Sequence, residues 1–286
     1  MNMRPAPIGQ NFGARPELSD QDFNRIAKLA RSDFGIQIEP QKKSMIQSRL
    51  TKRIRALGMA GFSEYCALVE SRNPEERENF ISAITTNVTH FYREVHHFKQ
   101  LQNEVLPDLA ERARGGARIR IWSAGCSTGP EPYSIAGSVI KVMPNAGRMG
   151  VEVLASDLDR DVISKAEAAT YDAEQCQVPA PEWGDQVFER TQRGSERKVR
   201  ADVAGLVNFK KINLNGDWPI SGKFDVIFCR NVAIYFDREV QQRLWQRFAE
   251  ALQPQGMLFI GHSERISGPA KDIFTPSGIT AYRKRA

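Results

Sequence analysis

The chain of 286 residues carries 40 Lys and Arg against 34 Asp and Glu, a formal charge of +6, with a pI near 9.2. Its 41% hydrophobic and 26% charged residues are ordinary for a globular protein with room for one large and one small domain. No apolar run approaches the ~20 residues that cross a bilayer, so direct membrane insertion is excluded, and the basic balance points to an acidic partner, nucleic acid or protein.

Residues 1–16, rich in Pro, Gly, Asn and Arg without an apolar core, read as a disordered tail and not a signal peptide, which predicts a cytoplasmic protein. Ser19 to Phe34 is a helix. Ser19 and Asp22 form a capping box, and Phe23, Ile26, Ala27, Ala30 and Phe34 make one apolar stripe. A second helix spans Gln41 to Leu57 and is closed by Gly58, with Ile46, Leu50, Ile54 and Leu57 as its buried face. At about 100° per residue, Arg49, Lys52 and Arg55 fall on the opposite face, flanked by Lys42 and Arg53. Charge runs are mostly solvated helix faces. This one contains no acidic residue, so it predicts cations left unpaired for a partner.

Phe62, Tyr65, Cys66 and Val69 mark a third helix, and Phe80, Ile81 and Ile84 a fourth, begun after Asn73 and Pro74. From Thr85 to Arg93 the chain is polar and β-branched, an ordered loop whose Asn87, Thr89 and Arg93 are candidates to face a site. Phe98, Leu101, Val105, Leu106 and Leu109 then predict a connecting helix ending near Gly115 and Gly116. The expected organisation is a helical domain over 17–93, a connecting helix over 94–116 and an α/β domain over 117–286.

The α/β domain opens with a buried strand, Ile119 to Trp122, a small-residue turn from Ser123 to Gly129, and Pro130 at the first position of a helix. Strand, glycine turn and helix form the cofactor cradle of a doubly wound fold, and Gly125 and Gly129 would let a ligand lie on bare backbone. The bland alternative is a turn whose glycines only permit tight packing. The glycines are four apart, which excludes the dinucleotide fingerprint, and no Lys-Ser/Thr follows, which excludes a P-loop. Glu131 in the first helical turn would repel phosphate but suits a cationic ligand such as S-adenosylmethionine. The strand Val151 to Asp157 ends in an acid placed to accept ribose hydroxyls; Asp159 is the alternative, and a helix cap the structural reading.

From about 171 to 205 the doubly wound rhythm lapses. Pro179, Pro181, Gly194, Arg193, Arg197, Lys198 and Arg200 suggest an inserted hairpin-like β-subdomain. Phe224 to Asn231 is the strongest buried strand. Glu239 to Leu252 is an amphipathic helix, and Met257 to Ile260 and Ile279 to Arg283 are further strands. Asp157, Asn213, Arg230 and Asn231, all at strand carboxyl ends, should converge on one crevice. Cys66, Cys126, Cys176 and Cys229 form no C-x-x-C and should be reduced thiols. His90, His96, His97 and His262 show no metal-ligand spacing, so no metal is expected.

Five blocks in order, TTNVTHFYRE (85–94), SAGCSTGPEPYS (123–134), ASDLD (155–159), FCRNVAIYF (228–236) and GHSE (261–264), resemble the CheR family of chemoreceptor glutamate methyltransferases. The resemblance covers the chain from about Leu18. It implies a doubly wound, Rossmann-like S-adenosylmethionine-dependent methyltransferase fold with a small all-helical N-terminal domain. Asn87, Thr89, Arg93, Glu131, Asp157, Asn213, Leu214, Arg230 and Asn231 would line the cofactor site, with Arg93 and Tyr235 beside the transferred methyl group. It further implies that Arg49, Lys52 and Arg55 meet acidic methylation helices of receptors, and that S-adenosylhomocysteine is the product. The insert is shorter near Val203 and lacks a Gly-Leu-Val run, which argues against pentapeptide tethering.

A glutamate with a pKa of about 4.3 is already a nucleophile at neutral pH, so such a reaction needs alignment and exclusion of water but no general base. His262 accordingly reads as structural. Two rivals remain on sequence grounds. A nucleic-acid methyltransferase fits the pI, but the place of an [Asp/Asn/Ser]-Pro-Pro-aromatic motif reads Arg230-Asn-Val-Ala here. A docking protein with a decayed cofactor crevice is disfavoured by Glu131, Asp157, Asn231 and Arg93 standing together.

Overall fold

The computed structural model describes residues 16–189 and 195–286; the expected tail up to residue 15, Arg193 and Gly194 lie outside them. Four helices come first: α1 (Asp20–Phe34), α2 (Lys43–Ala56), α3 (Phe62–Glu70) and α4 (Pro74–Ile84). Ser19 caps α1 reciprocally with Asp22, its hydroxyl accepting the Asp22 N–H at 3.0 Å and donating to the Asp22 carboxylate at 2.8 Å. Gly35, at φ +74°, ends the helix.

The cations of α2 are not as free as their spacing suggested. Arg53 makes a two-pronged bond with Glu76 of α4 at 2.7–3.0 Å, and Glu76 is only 2% exposed. Arg49 donates to the carbonyls of Ala83 and Thr85 and so caps the end of α4, while Lys43 pairs with Asp20 at 2.5 Å. Their partners come from other elements, so the helix's own sequence does not show them. Lys52 and Arg55 remain exposed. Leu57, expected in the core, is 37% exposed because α2 stops at Ala56 and the chain turns at Gly58.

The connecting segment runs from α5 (Val95–Gln100) through a π-helical turn, Leu101–Val105, into α6 (Leu106–Arg114). Pro107 has no N–H for the ladder and its ring crowds the preceding turn, which accounts for the changed hydrogen-bond spacing just before it. There follow β1 (Ile119–Ala124), α7 (Pro130–Val142), β2 (Val151–Asp157) and α8 (Arg160–Glu167). The insert holds β3 (Thr170–Asp172), α9 (Pro181–Val187), β4 (Glu196–Lys198) and α10 (Ala201–Ala204). β3 and β4 pair antiparallel, so the insert is a short two-stranded ladder dressed with two helices. The chain then continues through β5 (Val207–Lys211), β6 (Phe224–Cys229), α11 (Arg238–Ala251), β7 (Leu252–Ile260), β8 (Phe274–Gly278) and β9 (Ala281–Lys284).

One seven-stranded sheet has the order β5-β2-β1-β6-β7-β9-β8. β9 is antiparallel to both its neighbours, and the pairs among β5, β2, β1, β6 and β7 are parallel. β6 is buried along its whole length, as a central parallel strand covered on both faces should be. On one face Trp122, Phe224, Ile227 and Leu258 pack with α11 and with the cores of α1 to α4 in a single cluster. On the other, Ile121, Val226, Phe228 and Phe259 pack with α5, α6 and α7. The order reverses beside β1, between β2 and β6, and there the carboxyl ends open a crevice.

The Arg53–Glu76 pair predicts a sharp contrast along α2. Arg53→Ala leaves a buried carboxylate without its partner and should cost roughly 2–3 kcal/mol, whereas Lys52→Ala at an exposed position should stay within about 0.5 kcal/mol. Urea denaturation of the two variants checks this.

Candidate active site

The crevice holds about 980 Å³, including the solvent at its mouth. All the residues predicted for the cofactor line it, from Asn87, Thr89 and Arg93 through Glu131, Asp157, Asn213 and Leu214 to Arg230 and Asn231, together with Tyr235. Gly125 also lines it, but a Cβ there would sit 2.3 Å from Val232, at φ +88°. Gly129 does not face the crevice. At φ +99°, a Cβ would fall 2.6 Å from the Tyr171 hydroxyl and 2.9 Å from Ala166, so this glycine serves helix packing.

Two acids stand at the inner wall. Glu131, in the first turn of α7, accepts from the Ser123 hydroxyl at 2.8 Å and from Arg230 Nη1 at 3.2 Å. Burial raises its pKa, and the Arg230 charge opposes that rise. Asp157 accepts the N–H groups of Ser127 at 2.8 Å and Asp159 at 3.0 Å; burial pushes its carboxyl up to about 6. Its rival Asp159 caps α8 through the Asp161 N–H at 2.9 Å and accepts from Ser82 and Asn87. Asp159 is therefore the helix cap, and Asp157 is the acid that lines the crevice.

Arg230, at the end of β6, is 5% exposed. Besides Glu131 it meets Glu94 at 3.4 Å, donates to the Arg93 carbonyl and lies 5.5 Å over the Phe98 ring. Asn231 adopts φ +60°, and its N–H donates to Glu264 at 3.1 Å. Glu264, 4% exposed, also accepts from the backbone of Val232 at 3.0 Å and Gly261 at 2.5 Å, pinning the loop after β6 to the end of β7. Glu94 and Glu264 were quoted in the motifs without a role. Glu264 lies just past the end of β7, whereas Glu94 heads α5 after a polar loop, where nothing in the local sequence marks it.

Residues of the helical N-terminal part enter the same space, with Phe34, Ile36 and Ile84 forming an apolar wall. The Asn213 side chain spans the two units, donating to the Asp33 carbonyl at 2.9 Å. Around Tyr235 three cations gather, with the Glu264 carboxylate also near. Lys42 sits 5.0 Å over its ring, and Arg93 and Arg49 lie near enough for their charges to oppose the rise that burial gives its pKa. Tyr235 donates weakly to the Thr86 carbonyl at 3.4 Å, and Arg93 to that of Val88 at 3.0 Å. Arg49 is half-buried, and it, Lys52 and Arg55 lie outside the crevice lining.

Ligand atoms of Glu94, His96 and His97 do fall within 4.8 Å of one another, a proximity invisible in the sequence. A dication there would lie against Arg230, whose guanidinium already neutralises Glu94. His262 has a carboxylate partner too, bonding Glu94 at 3.0 Å through Nδ1, but it does not line the crevice.

A doubly wound sheet with acids pinned beside its switch point, ready for a cationic ligand bearing ribose, defines an S-adenosylmethionine-dependent methyltransferase. Residues 87–283 match the model of the CheR methyltransferase, SAM binding domain, and residues 21–85 that of the CheR methyltransferase, all-alpha domain. The chain belongs to the CheR methyltransferase family. It is 48% identical over 255 residues to a probable chemotaxis protein methyltransferase of Rhizobium etli, covering 88% of this chain and 95% of that one. It is 42% identical to the chemotaxis protein methyltransferase of Klebsiella aerogenes (94% and 91% covered) and 40% identical to that of Escherichia coli (94% and 92%).

Fully buried His97 bonds the Ile279 carbonyl at 2.9 Å through Nε2, and burial, with Arg230 close by, lowers its pKa to about 3. The unfolded chain, with histidine near about 6.5, then binds the extra proton first, so stability should fall as pH drops from about 6.5 towards 3. Between pH 7 and 5 this histidine alone should cost about 2 kcal/mol, and His97→Gln should remove that slope in denaturation curves measured at the two pH values.

Proposed function

We propose that the protein methylates glutamate side chains on cytoplasmic helices of chemoreceptors, with S-adenosylmethionine as methyl donor. The relatives' names give the chemotaxis setting. The observation that supports the acceptor is the charge distribution about the crevice, with Glu131, Asp157 and Arg93 in its lining and Lys42 and Arg49 outside the lining near Tyr235. A cationic donor fits within and an anionic acceptor at the mouth.

The residues fit the cofactor. Glu131 would take its ammonium group, Asp157 its ribose hydroxyls, Asn213 and Leu214 would border its base beside Phe34 and Ile36, and Arg230 Nε is a buried donor with no partner among the described residues. When bound, the cofactor supplies an electrophilic methyl group. The chain itself supplies alignment. Arg93 would orient the acceptor carboxylate by a charge-assisted bond, and Tyr235, close to Arg93, would help to position it. Glutamate is ionised at neutral pH, so no base is required. Exposed Lys52 and Arg55 would meet acidic residues flanking the target. The insert's short ladder leaves pentapeptide tethering outside this proposal.

Incubation with methyl-labelled S-adenosylmethionine and a receptor's cytoplasmic fragment should place label on the fragment that alkali releases as methanol. Alkali-stable label would mean a different acceptor group and would overturn the glutamate reading. Replacing Lys52 and Arg55 together by Ala removes two exposed ion pairs with the receptor, each worth ~0.2–1 kcal/mol, and should raise KM for the receptor fragment roughly 2- to 30-fold with cofactor Kd unchanged. An unchanged KM would make them an ordinary solvated face. Arg49 is left intact because its loss would uncap α4.

A further inference from the structure

Glu94 heads α5 in a left-handed conformation, φ +57°, two residues after Tyr92 at φ +54°. Residues other than glycine pay roughly 1 kcal/mol or more for this conformation, and it persists only where the surroundings impose it. The imposed conformation turns the Glu94 carboxylate inward, where its side chain is 12% exposed. One oxygen lies 3.4 Å from Arg230 Nη2; the other accepts from His262 Nδ1 at 3.0 Å. Glu94 itself is not part of the crevice lining.

Arg230 thus stands between two acids of different character. Glu131 borders the crevice at 3.2 Å from Nη1 and is the carboxylate a ligand cation would claim. Glu94 holds the guanidinium from behind. Were Glu131 its sole partner, Arg230 would neutralise it fully and compete with the ligand. With Glu94 present, the positive charge is shared and Glu131 keeps part of its own. The same guanidinium donates to the Arg93 carbonyl, so its place also sets the loop that carries Arg93. Burial alone would raise the Glu94 carboxyl, but the Arg230 charge and the hydrogen bonds from His262 hold it down to about 2, so it stays ionised throughout the working range.

We infer that Glu94 is a positioning residue for methyl transfer, anchoring Arg230 so that Glu131 stays available to the donor's ammonium group. The inference rests on the reading of this crevice as the donor site.

Calorimetric titration of the full chain with S-adenosylhomocysteine tests it. E94Q keeps the shape and loses the charge. It should weaken binding about tenfold or more, about 1.4 kcal/mol for each tenfold. E94D, which keeps the charge, should recover part of that loss; if only shape mattered, Gln would be the better substitute. On an E131Q background, E94Q should add less than twofold, because Glu94 acts through Arg230 on Glu131. An unchanged Kd in E94Q, or a full additional loss in the double variant, overturns the inference. Should E94Q fail to fold, E94D read alone and on the E131Q background carries the same cycle, with additivity again the overturning result. If the wild-type protein takes up no S-adenosylhomocysteine, the donor-site reading falls and this inference with it; if the wild type binds and E94Q binds equally, only the inference falls.

Discussion

A buried guanidinium is expensive. Removing such an ion from water costs several kcal/mol even after the protein relaxes, and the cost is offset only where good geometry surrounds it. Arg230 meets this demand with Glu131 from α7, Glu94 from the head of α5, the Arg93 carbonyl and the face of Phe98. Each of these belongs to a different part of the chain from β6. Satisfying one side chain therefore fixes the glycine-rich turn, the loop over 85–93 and the end of the central strand relative to one another. Glu264 does the same from the other side, gathering the N–H groups that β6 and β7 leave unpaired where they end.

The helical residues are part of this arrangement. Their core is continuous with the sheet face that carries Trp122 and Phe224. The Gln37 N–H donates to the Tyr235 carbonyl at 2.8 Å, and Ile36 bridges to Phe236. Phe34 and Ile36 thereby become a wall of the crevice, and Lys42 is brought over the Tyr235 ring. The cations of α2 consequently divide into two kinds. Arg53 and Arg49 hold α4, whose end begins the loop toward Arg93, while Lys52 and Arg55 face solvent.

What could be read from the sequence was what local chemistry decides. β6 is an unbroken apolar run, Ser19 and Asp22 a self-contained cap, and Asp157 an acid at a strand end; each is specified within a few residues. What could not be read was decided across the chain. Arg53 finds its carboxylate on another helix, and Gly129 owes its missing Cβ to Tyr171 and Ala166. Glu94, His96 and His97 converge only once α5 is wound and Arg230 is in place. β8 was missed because Pro276, Ser277 and Gly278 spell a turn; at the edge of the sheet, a proline without an N–H is tolerated.

The polarity of the crevice carries a consequence for turnover. On the proposed chemistry, methyl transfer removes one positive charge from the donor and one negative charge from the acceptor. Before transfer, Glu131 and Asp157 favour the cation, and Arg93, Arg49 and Lys42 favour the anion. Afterwards the receptor carries a neutral ester, to which the cations at the mouth offer no Coulombic attraction. The donor product has lost its sulfonium charge and keeps only its ammonium group for Glu131. Electrostatic stabilisation is thus greatest for the reactant pair and weakest for the products, so the same residues that bring the charges together also favour release. Arg230 is what allows this, because its charge, shared between Glu131 and Glu94, keeps Glu131 from being either fully neutralised or left facing Glu94 alone.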